Sequence, residues 1–148
     1  MGTKEKLEIA LKNAMKSGNE VRKRTLRLAL SSIKLAEIDK GQPLDEAGII
    51  SILNKEMKAH EETITEAQRA GRQDMVTENQ AEIEVLQEFL PQPLSAAELE
   101  DIVRQVITES GATSPADMGK VMKLLIPRLA GRAGGNEASN LVRRLLQG

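Results

Sequence analysis

The chain has 148 residues, room for one domain or two small ones, and no cysteine, which excludes disulfides, thiolate metal sites and a cysteine nucleophile. Hydrophobic residues are 40% of the chain and 11 glycines bring the apolar share to about 47%, inside the ~45–50% of ordinary globular domains, so a core can be buried. No Trp, no Tyr and one Phe argue against an all-β chain and remove the aromatic platforms of most single-strand nucleic-acid binders.

Helical periodicity runs through the whole chain. Leu7, Ala10, Leu11, Ala14 and Met15 share one helix face, and Gly18 stands at the C-terminal cap. Asn19 caps a second helix reaching about Lys40, with Leu26, Ala29, Leu30, Ile33 and Ala36 inward and Gly41 as its stop. Pro43 and Asp45 open a third helix, with Ile50, Leu53, Met57, Ile64 and Ala67 inward and Gly71 as its break. A fourth, from about Asp74, continues through Val76, Ile83, Leu86 and Leu90. The third and fourth should pack as a long antiparallel hairpin.

Pro91-Gln92-Pro93 is the clearest boundary, because neither proline donates a backbone bond and each biases its predecessor away from helix. Ser95 and Glu98 then form a capping box for a fifth helix that carries Leu99, Ile102, Val103, Val106 and Ile107 and ends at Gly111. Ser114-Pro115 starts a sixth, which shows apolar Met118, Val121, Met122, Leu125, Ile126 and Leu129, its last turn kinked or shortened by Pro127. After a loop over Gly131 to Gly135, Asn136 caps a last helix that buries Ala138, Leu141, Val142, Leu145 and Leu146. The expected fold is all-α: an N-terminal helical domain, 1–91, with the long hairpin, and a small C-terminal three-helix domain, 94–148.

No apolar run approaches the ~18 residues that span a bilayer, and the N-terminus lacks a secretory core. The expectation is a cytoplasmic protein with no membrane partner. The sole histidine, His60, falls on the apolar stripe of the third helix, where a partly buried, hydrogen-bonded role is expected rather than a metal ligand. Glu78, Glu82, Glu84 and Glu88 read as helical surface acids rather than a catalytic pair. No phosphate-cradling glycine loop occurs. No catalytic residue, metal or cofactor is assigned.

The net charge of −1 conceals a distribution. Residues 1–40 carry ten Lys/Arg against five Asp/Glu, residues 41–110 five against fifteen, and residues 111–148 six against two. Such blocks are either solvated faces that complement one another in the fold or basic surfaces for a polyanion. Arg24, Arg27 and Lys34, with Ser31 among them, line one side of the second helix. Lys120 and Lys123 on the sixth, and Arg143 and Arg144 on the seventh, lie opposite the apolar stripes, with Arg132 in the Gly-rich loop between. Phosphate contacts of this kind bind without reading sequence. Without aromatics they suit the shape of a structured RNA.

Three stretches then carry a resemblance: Lys23-Arg24-Thr25-Leu26-Arg27 running into Ile33 to Ile38; Ala70-Gly71-Arg72 through Glu82-Ile83 to Phe89-Leu90-Pro91; and Asp117 to Met122 followed by Gly131-Arg132-Ala133-Gly134-Gly135. In order and extent they resemble the GatB/YqeY family, as a stand-alone YqeY-like chain similar to the C-terminal helical and tail region of the tRNA-dependent amidotransferase B subunit. The resemblance implies a two-part helical fold whose C-terminal unit corresponds to a tail that helps hold tRNA. It makes Gly119, Lys120, Lys123 and the Arg132 loop the foremost contact candidates. Phe89 replaces a frequent Tyr, and Gly134-Gly135 a frequent Asp-Gly, so any role of that acid is absent.

The resemblance implies no active site, because the amidotransferase's catalytic centres lie outside the matched region. The expected function is therefore a binding module for tRNA or another structured RNA, accessory to a carbon–nitrogen ligase that uses glutamine as amido donor. The alternative is a helical adaptor whose acidic hairpin and exposed apolar positions dock an amidotransferase or other protein, with no RNA ligand.

Overall fold

The described residues, 1–147 of the computed structural model, form seven α-helices and one 3-10 turn, with no strand among them. They are α1 (Thr3–Ser17), α2 (Glu20–Lys40), α3 (Glu46–Arg69), α4 (Gln73–Gln87), α5 (Ala96–Ser110), the 3-10 turn Pro115–Asp117, α6 (Met118–Leu129) and α7 (Gly135–Gln147). Residues 1–90 pack into one compact unit and the chain from Pro91 onward into another.

In the first unit, α1 and α2 pack together and α3 folds back on α4. Leu7, Leu26, Ile33, Leu53 and Leu86 meet in its core. Gly18 and Gly41 end α1 and α2 in the left-handed conformation, with φ of 73° and 76°, which an L side chain adopts only at a cost. Asn19 accepts from the Arg22 N–H at 3.1 Å, and Asp45 from the Gly48 N–H at 2.8 Å. Helix α4 stops at Gln87, short of the expected Leu90. Phe89 and Leu90 instead close tighter i→i+3 bonds, to Leu86 and Gln87, because Pro91 disfavours helix in the residue before it.

Two carboxylates bind the start of the chain to the turn after α2. Glu46 is held below the usual glutamate range by the Thr3 hydroxyl, at 2.6 Å, and then by the Thr3 N–H, at 3.0 Å. Glu37 is lowered by the Lys4 ammonium, at 2.8 Å, and the Leu44 N–H, at 2.9 Å. A carboxylate with a lowered folded-state pKa stabilises the fold above its ordinary value, and that stabilisation is lost as pH falls through the lowered value. Acidification below the ordinary 4.5 should therefore destabilise the first unit. Glu46→Gln should lower urea stability at pH 7 and shrink the difference between pH 7 and pH 3.5. An unchanged difference would remove Glu46 from the account.

The second unit buries Leu99, Val103, Val106, Val121, Leu125 and Val142 between α5, α6 and α7. The Ser95–Glu98 capping box forms. The Leu94 N–H donates to the Arg132 carbonyl at 2.9 Å, and Arg132 Nε to the Gln92 carbonyl at 2.8 Å, so the segment after Pro91 is fastened to the α6–α7 loop. Helix α6 runs on through Pro127 to Leu129 and is not shortened by it. Helix α7 begins at Gly135, so Asn136 lies in its first turn rather than capping it.

Ala130, at the C-cap of α6, has φ +49°, the one positive φ outside glycine among the described residues. Ala130→Gly should relieve that strain and raise stability by about 0.5–1 kcal/mol, partly offset by a freer unfolded chain. A thermal melt of the variant that moves downward would contradict this.

Candidate nucleic-acid interface

The α2 cations do not stand alike. Arg24 Nε donates to Glu82 Oε1 at 3.0 Å and its Nη2 to Glu78 Oε1 at 2.8 Å. Arg22 pairs with Glu88 at 2.5 Å and lies over the Phe89 ring, 5.8 Å from its centroid. Part of the basic N-terminal block is thus neutralised by carboxylates near or within α4, as complementary charge blocks require. Arg27 touches only the Met15 sulfur, at 4.0 Å, and it and Lys34 are exposed with no ion pair among the described residues.

Glu82 corrects the reading of the α4 acids as surface groups. Its side chain is 12% exposed, and besides Arg24 it meets His60 Nδ1 at 3.1 Å. The same His60 nitrogen lies 2.9 Å from Asn79 Oδ1, whose amide Nδ2 donates to the Met75 carbonyl at 2.8 Å. Two acceptors on one ring nitrogen place a proton there. The signal was present in the sequence: Glu82 precedes Leu86 by four residues on the apolar stripe of α4, and His60 occupies the matching kind of position on α3. Glu78, Glu84 and Glu88 are exposed. Among the described residues no three His, Asp or Glu side chains gather as a metal site.

In the second unit the charges are polarised. Helix α5 holds Glu98, Glu100, Asp101 and Glu109 against one Arg104, whereas α6, α7 and their loop hold six Lys/Arg and one acid, Glu137. Arg128 pairs with Glu109, which joins α6 to α5 and removes that cation from the free set. Lys120, Lys123, Arg143 and Arg144 are exposed and form no ion pair among the described residues; Arg143 donates to Asn140 Oδ1 at 3.3 Å. Arg132 is half-buried, held by the Gln92 carbonyl and 3.8 Å from Glu98.

Asp117, which precedes α6, lies below the usual aspartate range because the Thr113 and Ser114 N–H groups donate to it and Lys120 is near. A Cβ at Gly119, Gly134 or Gly135 would meet no side chain or backbone of another part of the fold within 4 Å. Backbone can approach an anion closely there.

The chain is similar to fungal proteins named altered inheritance of mitochondria protein 41, mitochondrial. It is 35% identical over 109 residues to that of Lachancea thermotolerans, covering 72% of this chain and 58% of the relative. It is 28% identical over 136 residues to that of Pyrenophora tritici-repentis, covering 89% and 74%. With that of Meyerozyma guilliermondii it shares 30% over 142 residues, covering 93% and 72%. The chain thus spans little more than half the length of the first of these relatives.

Their names correct the expectation of a cytoplasmic protein. No described helix is long and apolar enough to cross a membrane, but that property bears on bilayers, not on which compartment holds the protein. A family model described as Yqey-like protein matches residues 4–146, almost the entire chain and both packed units, and the chain belongs to that family.

Proposed function

We propose that the chain binds structured RNA, tRNA foremost, through the outer faces of α6 and α7 and the loop between them. The observation that carries this reading is the exposed quartet Lys120, Lys123, Arg143 and Arg144, none of them in a direct ion pair among the described residues, on helices whose own carboxylates are few. Gly119 and the Arg132 loop supply open helix starts beside it. Arg24 is committed to Glu78 and Glu82, and Arg27 and Lys34 belong to the other unit, so the proposal rests on the second unit. Resemblance to the amidotransferase tail makes a glutamine-using carbon–nitrogen ligase the enzyme such a module would assist. The proposal gives the chain no chemistry of its own.

Phosphate contacts release counterions, so affinity should fall steeply with salt. Lys120→Glu with Lys123→Glu should weaken retention of total tRNA on filters by about 10–100-fold at 50 mM salt and flatten the salt slope by about 2. Circular dichroism should not change, because both positions face solvent. No tRNA retention at low salt, or retention indifferent to the double reversal, overturns the proposal.

A further inference from the structure

The outer side of α2 carries three large apolar side chains that the fold does not use. Leu28, Leu35 and Ile38 are 50%, 63% and 64% exposed, whereas Leu26 and Ile33 of the same helix are fully buried. With Ser31 between them, positions 28, 31, 35 and 38 alternate spacings of three and four, the seam of two packed helices. The stripe is about 15 Å long at the helical rise. The other exposed apolar side chains within helices, Ile9 and Met15 on α1 and Leu124 and Ile126 on α6, form no such run.

One edge of this stripe is cationic. Arg27 and Lys34 each precede a stripe leucine by one residue, one heptad apart, and neither has a carboxylate partner among the described residues. Asp39 falls on the opposite edge. We infer that the α2 face seats an amphipathic helix of a protein partner whose apolar seam is flanked by carboxylates along one edge. Leu28, Leu35 and Ile38 supply the burial, Ser31 lets the backbones approach, and Arg27 and Lys34 set the orientation.

Other occupants fit this face less well. RNA would use the two cations but leave the aliphatic stripe against phosphates, which gains nothing. A second copy laid antiparallel would set the Arg27–Lys34 edge against itself, because the two-fold axis keeps equivalent edges on one side. Like charges juxtaposed across an interface disfavour that pairing.

The test titrates the full chain into a fluorescein-labelled synthetic helix of leucine heptads flanked by glutamate, and into a twin flanked by lysine. The acidic helix should bind at least tenfold tighter than its twin. Leu35→Ser should weaken it at least tenfold, and Arg27→Glu with Lys34→Glu should invert the preference. These side chains are exposed, so helicity and melting should stay as in the parent chain. Equal binding of both peptides, indifference to Leu35→Ser, or a dimer in sedimentation that Leu35→Ser dissolves overturns the inference. So does absence of peptide binding together with tRNA retention lost in Arg27→Glu/Lys34→Glu, which assigns the edge to RNA.

Discussion

Leu125→Ala is expected to unfold the C-terminal unit while α1 to α4 stay folded. Leu125 is fully buried among Val103, Val106, Val121 and Val142, and truncating such a leucine costs about 2–5 kcal/mol through lost burial and the cavity left behind. The unit begins only at Pro91, and a core below about 70–80 residues rarely supplies more than ~3–5 kcal/mol in all. The loss is therefore comparable to the whole stability. Hydrogen exchange followed by mass spectrometry should show α5, α6 and α7 unprotected, with Leu7, Leu26, Ile33, Leu53 and Leu86 still holding the first unit. The neighbouring Leu124→Ala, at a side chain 44% exposed, should cost less than about 0.5 kcal/mol. Loss of protection throughout the chain in Leu125→Ala would show that the two units fold as one. Retained protection in α5 to α7 would show a core stronger than its size suggests.

Arg24→Met should cost about 1–3 kcal/mol in urea unfolding, far more than Arg27→Met on the same helix. Breaking a fully buried ion pair typically costs ~3–5 kcal/mol, and the figure is reduced here because the Arg24 side chain is 49% exposed and solvent screens it. What remains is Glu82, 12% exposed, stripped of its guanidinium and left with His60. Removing both members relieves that isolated charge, so Arg24→Met with Glu82→Met should recover most of the loss. If Arg24→Met and Arg27→Met prove equal, the cluster between α2, α3 and α4 contributes no more than an exposed face.

Much of the helical layout was legible because its signals are local. Asn19, Asp45 and the Ser95–Glu98 pair act within three residues of themselves, and Gly18, Gly41 and Gly111 answer to the backbone at their own positions. The errors sit where two local signals competed. Pro91 ended α4 earlier than the apolar pattern through Leu90 suggested, and α7 started at Gly135 without waiting for Asn136. Pro127 was accommodated inside α6, with the turn falling at Ala130 instead.

The sequence by itself determined that the chain is helical throughout, where the strongly capped helices begin and end, and that cations gather at both ends of the chain. Which cations are free was decided only by the tertiary structure. Arg24, Arg27 and Lys34 are equivalent as letters on one helix side, but packing α4 beside α2 brings Glu78 and Glu82, 54 and 58 residues away, onto Arg24 alone. Burial likewise turned Glu82 from a surface acid into the centre of a network with His60. It left Leu28, Leu35 and Ile38 outside the core that took Leu26 and Ile33. Coulombic pairing and desolvation depend on distance in space, and periodicity along one helix carries no record of what another helix will set against it.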